Sequence, residues 1–176
     1  SYTHEDNLVP SIDLSSQAYT LAPNAPALYD EEGNLNWENN TWNNPLASLE
    51  EKVGVKSSTV LANAMLSYEL WEGLELRSSL GYTDYRLDSY RTLPSSARNP
   101  RFNFTPQNYS SLTTNESQRT SWIVEPQLQW KQQWDVLSMD VLVGTTFQQE
   151  TTEQLVLRGQ GFPTNALINN MAAADE

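Results

Sequence analysis

The chain has 176 residues, long enough for one domain with a core, and a formal net charge of −12. That charge argues against nucleic acid and anionic lipid surfaces as partners, since phosphate binding needs clustered Lys and Arg. No cysteine is present, which excludes disulfides, thiolate metal sites and a Cys nucleophile. A mean hydropathy of −0.58 with six Trp and eight Tyr suits exposed strands and long polar loops better than a helical domain. No run of 18 apolar residues occurs, so a transmembrane helix is excluded but a transmembrane strand is not. The opening "SYTHEDNL" has no charged and then apolar leader, so the chain reads as never exported or as an internal piece of a longer protein.

Residues 1–56 are expected to be irregular, because Pro10, Pro23, Pro26 and Pro45 interrupt any long element. Within them "ALYDEEGNLNW" predicts a small hairpin, Ala27–Tyr29 against Leu35–Trp37, with Gly33 at positive φ. A strong hairpin follows over 57–88. Val60, Ala62, Ala64, Leu66, Tyr68 and Leu70 share one parity, as do Leu74, Leu76, Leu80 and Tyr82. A three-residue loop, Trp71-Glu72-Gly73, would place Leu70 opposite Leu74 and Ala64 opposite Leu80 and keep all of them on one face.

Residues 89–117 read as a long polar connection with Pro94, Pro100 and Pro106. A second hairpin spans 118–157. Trp122, Val124, Pro126, Leu128 and Trp130 would face Leu137, Met139, Val141 and Val143 across a loop from Gln132 to Asp135, pairing Leu128 with Met139. Pro126 has no N–H and belongs at a bulge, an edge or an unpaired ladder position. Residues 158–176, with Gly159 and Gly161, form a closing loop. Trp71, Tyr82, Tyr85, Trp122, Trp130 and Trp134 lie near strand ends, in the manner of interfacial aromatic girdles.

Chemistry is hard to place on this chain. His4 is the only histidine and stands alone, which removes a His-based triad and a His metal site. Asp30, Glu31 and Glu32 are adjacent, and neighbouring turn residues diverge, so they form no spaced carboxylate pair for glycoside cleavage. The chain is therefore expected not to be an enzyme and to need no cofactor or metal. Tyr29, Trp37 and Trp42, set among Asn and Asp, are the candidate ligand-binding residues, because aromatic faces bordered by amides suit sugar rings.

The segments "PNAPALYDEEGNLNW" (23–37), "NNPLASL" (43–49), "GLELRSSLGY" (73–82), "WIVEPQLQW" (122–130), "LVGTTFQQE" (142–150) and "GQGFPTNAL" (159–167) occur in an order that resembles the barrel of the SusC/RagA family of TonB-linked outer-membrane transporters. The resemblance implies an all-β fold of antiparallel hairpins from a transmembrane β-barrel with long irregular loops. It implies that the chain is a piece of a nutrient importer, of glycans above all, in the outer membrane of a Bacteroidetes-type Gram-negative cell. The implied partners are a SusD-like surface lipoprotein, an oligosaccharide or peptide substrate, outer-membrane lipid, and the TonB complex through parts that this chain lacks. Trp71–Gly73 and Gln132–Asp135 would be periplasmic turns; residues 1–56, 86–117 and those from about 151 onward would be extracellular. Leu66, Leu74, Leu76, Val124, Leu128 and Val141 would face lipid. Asn63, Glu69, Arg77, Glu125, Gln127 and Gln129 would face the lumen. The alternative is a secreted or cell-surface carbohydrate-binding β-module that uses Trp37 and Trp42 as platforms. In isolation the apolar face is expected to drive self-association or to be covered by the N-terminal region.

Overall fold

The computed structural model describes residues 1–175 and is an antiparallel all-β structure. Its strands are β1 (Tyr2–Pro10), β2 (Lys52–Trp71), β3 (Leu74–Leu93), β4 (Ser111–Gln133), β5 (Ser138–Gly144) and β6 (Phe147–Gln160). They form one open sheet in the order β1-β2-β3-β4-β5, with β6 also paired to β4. The chain divides into two compact units. The first holds 1–5, 57–87 and 117–154, with both tight turns. The second holds the long connections and the strand ends that enter them.

The β2–β3 register is the one that alternation demands. Asn63 lies beside Gly81 and the Tyr90 ring covers Gly54. The Lys52 amide donates to Thr92 Oγ1 at 3.4 Å. All three contacts fit one antiparallel register, in which Leu70 faces Leu74. Gly73 closes the turn at φ +81. It is also boxed in: a Cβ there would sit 2.1 Å from the Lys131 carbonyl oxygen. Gly33, at φ +83, meets nothing within 4 Å. Gly33→Ala should therefore cost about 1 kcal/mol for left-handed backbone alone. Gly73→Ala must in addition move β4, and should lower the refolding yield and melting temperature well beyond that. Equal losses in the two variants would show that the Gly73 contact carries no weight.

Strand β4 is registered on β3 by the Lys131 amide donating to the Gly73 carbonyl at 2.7 Å, by Ile123 lying over Gly81, and by Thr120 Oγ1 donating to Asp84 at 3.2 Å. Carried along the ladder, this register sets Leu76 against Leu128, Leu80 against Val124 and Tyr82 against Trp122. On its far side β4 meets β5 with Leu128 opposite Val143 and Trp130 opposite Val141. This corrects the expected second hairpin. Leu128 faces Val143 rather than Met139, four residues further along, and the turn tightens to Asp135-Val136. Trp134 and Leu137 exchange both backbone hydrogen bonds around that turn, at 2.7 and 3.3 Å. The slip brings Lys131 opposite Asp140, and Gln129 Nε2 donates to the same carboxylate at 2.9 Å. An even slip preserves parity, so the face assignment survives.

Pro126 explains why β5 and β6 are separate strands. Its carbonyl accepts from the Thr145 amide at 3.1 Å, but it has no N–H with which to return the bond. The ladder breaks at Thr145–Thr146 and resumes at Phe147.

Strand β1 corrects the expectation of an irregular 1–56. The Ser1 ammonium donates to the Leu61 carbonyl at 2.6 Å and Ser1 O accepts from the Leu61 amide at 2.9 Å. Lys56 and Asp6 pair at 3.1 Å, and the Ser11 amide donates to the Glu51 carbonyl at 3.2 Å. These contacts place β1 antiparallel to β2. The predicted inner hairpin is present: Tyr29 bridges Leu35, and the Asn36 amide donates to the Leu28 carbonyl at 3.1 Å.

The two units differ in what they bury. In the first, the only buried residues are Leu74 and Asp84. Leu66 is 60% exposed, Tyr68 69% and Leu128 38%. The second unit holds the compact core: Phe162 (0% exposed), Leu112 and Ile168, with Tyr90, Met171, Ala173 and Ala174 packed on it.

Candidate functional site

Two surfaces carry functional information, one in each unit. On the first, the even-numbered residues of β3 and β4 form the apolar face. Trp122 and Trp130 lie eight residues apart, about 26 Å of strand, with only Val124, Pro126 and Leu128 at that parity between them. Tyr82 and Leu74 bracket Leu76, Ser78 and Leu80 in the same way. Trp71 and Trp134 add aromatic surface at the tight turns, both of them exposed. Tyr85, expected in this set, has the parity of the opposite face.

Immediately past Tyr82 and Trp122 the face turns polar. Asp84 accepts from Gln118 Nε2 at 2.8 Å, from Arg86 Nε at 3.0 Å and from Thr120 Oγ1 at 3.2 Å. The Gln118 hydrogen bond, helped by Arg86, holds its carboxyl below the usual aspartate value. The odd-numbered face is mostly polar over the same stretch, with Ile123 its apolar exception over Gly81. Asn63, Thr83, Ser121, Gln148 and Glu150 surround a cleft of about 400 Å³ at Gly81. A second cleft of about 390 Å³ lies among Glu69, Glu75, Gln129 and Lys131. The expected lumen-facing residues Asn63, Glu69, Arg77, Glu125, Gln127 and Gln129 all have this parity, and the expected lipid-facing residues have the other.

The second unit is a folded platform rather than a set of loose loops. Two Asn-Pro steps start its 3-10 turns over Pro45–Glu50 and Pro100–Phe102. Each Asn caps its turn: Asn44 Oδ1 accepts from the Leu46 amide at 2.9 Å and Asn99 Oδ1 from the Arg101 amide at 3.0 Å. Each also braces a distant strand of backbone. Asn44 Nδ2 donates to the Leu28 and Asn36 carbonyls at 2.6 and 3.0 Å, and Asn99 Nδ2 donates to the Trp42 carbonyl at 3.0 Å. Asn165 holds the closing segment, its Oδ1 accepting from Ser110 Oγ at 2.6 Å and Ser95 Oγ at 3.3 Å. Glu51 is buried and accepts from Ser11 Oγ at 2.9 Å, Arg98 Nη2 at 3.2 Å and Arg91 Nη2 at 3.3 Å. Buried polar groups with a full set of partners hold a unique arrangement of irregular backbone.

The three expected ligand residues are parted by this framework. Trp37 is half-buried and lines both clefts of the platform; Tyr29 is exposed and lines one of them. Trp42 lines neither. It closes a turn by donating its amide to the Trp37 carbonyl at 3.3 Å, across Glu38, Asn39 and Asn40, all at positive φ. Sequence reasoning missed Glu51, Arg91 and Arg98, which meet only through folding, and the aromatic group Phe102, Phe104 and Tyr109. Phe104 lies 4.5 Å from Tyr109 and 5.7 Å from Phe102 between ring centroids, and Arg98 stands over Tyr109 at 5.3 Å. The repeated Asn-Pro step was the available signal for these turns. Among the described residues no group of His, Asp and Glu could hold a metal ion. Comparison with known proteins finds no family model that matches the chain and no similar curated protein.

Proposed function

We propose that the chain is part of the wall of an outer-membrane β-barrel that imports nutrient molecules, glycans above all. In this reading β2 to β6 supply wall strands and the second unit supplies the extracellular platform. The observation that carries it is the apolar face of the first unit: exposed, bounded by aromatics, and abruptly polar past Tyr82 and Trp122. Outer-membrane barrels have an apolar band about 25 Å tall between aromatic girdles. The Trp122–Trp130 run of about 26 Å projects to about 20 Å at a strand tilt near 40°, and the turn tryptophans extend it. The polar odd-numbered face then lines the water-filled lumen. Its amide and hydroxyl side chains hydrogen-bond a hydrated solute without binding it tightly.

Each tight turn belongs to the first unit and each long connection to the second, which is the plan of such barrels, with short periplasmic turns and long outer loops. The partner roles follow from the resemblance noted above: a SusD-like surface lipoprotein over the platform, and TonB-linked energy through parts outside this chain. A carbohydrate-binding β-module would use the same Trp37, but would leave the apolar face in water. A membrane wall gives that face a solvent.

The test uses variants that keep only one tryptophan, reconstituted in vesicles of bromine-labelled phosphatidylcholine. Trp122 and Trp130 should be strongly quenched by bromine near the headgroup end of the acyl chains, and Trp37 should not. Equal, weak quenching at all three positions would contradict a membrane wall.

A further inference from the structure

The platform cleft bounded by Trp37, Phe102, Ile12 and Leu21 has a charged floor that selects a class of ligand. We propose that it binds a carboxylate attached to a ring, as in an acidic sugar or an aromatic amino-acid residue. The proposal rests on the importer reading for its context, and on the cleft's own residues for its chemistry.

The cleft holds about 570 Å³, the size of a small-molecule site, and all of its lining belongs to the second unit. Its charged lining residues are Arg91, Arg98 and Glu51, two cations and one anion, which leaves one net positive charge. This is unusual in a chain whose net charge is −12. The Glu51 side chain is only 4% exposed and lies under the two guanidinium groups, whose side chains remain 52% and 44% exposed.

A guanidinium carries five N–H donors. Arg91 spends one of them, on Glu51. Arg98 spends one on Glu51 and one on the Tyr109 hydroxyl. Among the described residues, four donors on Arg91 and three on Arg98 therefore have no protein acceptor. The single carboxylate that orients the two groups does not saturate them. Planar donor pairs of this kind match a second carboxylate bidentately.

The rest of the lining supplies the ring-binding surface. Trp37 is half-buried, Phe102 is 48% exposed, and Ala47 and Ala97 form a buried apolar wall. Asn43 is at the rim, able to donate or accept. Aromatic faces beside unspent guanidinium donors fit a ring with an anionic substituent better than a neutral chain. The adjoining cleft, where Glu50 offsets Arg98, has no such surplus.

The experiment measures binding by isothermal titration to the whole chain in detergent, with matched probes. One pair is phenyl β-D-glucuronide and phenyl β-D-glucoside; the other is N-acetyl-phenylalanine and its amide. The acid of at least one pair should bind about tenfold more tightly than its neutral partner. The pair that shows the preference identifies the sugar or the peptide source. Arg91→Gln should abolish the preference while leaving the Glu51–Arg98 contact. Raising NaCl from 50 to 500 mM on the unaltered chain should weaken acid binding several-fold and spare the neutral probe, a readout independent of how the variant folds.

Equal affinity for acid and neutral probes, no binding by any probe, or a salt-independent preference would each overturn the proposal. None of these results bears on the lipid-facing strands, which the tryptophan quenching test judges separately. A failure of the membrane reading would leave the measured selectivity standing.

Discussion

Leu76→Arg is expected to cost about 2–4 kcal/mol of stability in the bilayer, the penalty for arginine near the midplane of a barrel's lipid face. Leu76 lies on the apolar face: it is paired with Leu128 of β4, between the levels of Leu74 and Tyr82. The neighbouring Arg77 already shows what the opposite parity tolerates, pairing with Glu75 at 2.6 Å on the polar face. The variant should therefore fold poorly into vesicles, and in an importer that contains this sequence, as proposed above, it should lower both the amount in the outer membrane and uptake. Arg77→Leu, a one-residue step away, should have a small effect on membrane insertion. Equal insertion of Leu76→Arg and unaltered protein, measured by resistance to carbonate extraction, would show that this face does not meet lipid.

Phe162→Ala is expected to undo the platform and leave the wall strands in place. Phe162 is wholly buried against Leu112, Ile168 and Met171, and large-to-small changes of buried phenylalanine cost about 3–5 kcal/mol. Few other large side chains are available to close over the gap. Gly159, three residues earlier in the chain, is itself packed so tightly that a Cβ would lie 2.7 Å from the Met171 sulfur. Amide protection should fall through 94–110 and 161–175, with Asn165 losing its bonds to Ser95 and Ser110. Protection in 60–82 and 120–132 should hold. Uniform loss of protection over the whole chain would mean that the two units do not unfold separately.

Much of the sheet was legible because a half-buried strand prints its faces as alternation. Val60 to Leu70 and Leu74 to Tyr82 share a parity, and Gly73 fills the one position between them that needs positive φ. The second hairpin shows where that reading stops. Alternation is unchanged by a slip of two or four residues, so it could not choose between Met139 and Val143 as partner of Leu128. The observed register sets Lys131 against Asp140, a cross-strand charge pair with no pattern of its own. β1 was missed for a related reason. "YTHEDNLVP" is polar and charged on both faces, and its place is set by backbone bonds at the edge of the sheet.

The platform was the least legible part. Its order comes from Asn44, Asn99, Asn165 and Glu51, polar residues whose sequence neighbours resemble ordinary turn residues. Asparagine in a solvated loop and asparagine buried as a brace look the same in one dimension. "NNPLASL" and "GQGFPTNAL" supply two of these braces, so those segments record how the loops are held. Of the ligand residues expected, Trp37 lines the charged cleft, Tyr29 lines the neighbouring one, and Trp42 serves the turn between them through its backbone.

The central claim, that one face of the first unit meets lipid and the other meets water, is tested most directly by cysteine scanning. The natural chain has no cysteine, so single substitutions at each position from 74 to 82 and from 122 to 130 report without background. With a spin label in vesicles, even-numbered positions should be accessible to oxygen dissolved in the bilayer, and odd-numbered positions to a water-soluble nickel chelate. The account predicts a period of two that holds in phase over both stretches. Equal accessibility to the nickel chelate at both parities would contradict it.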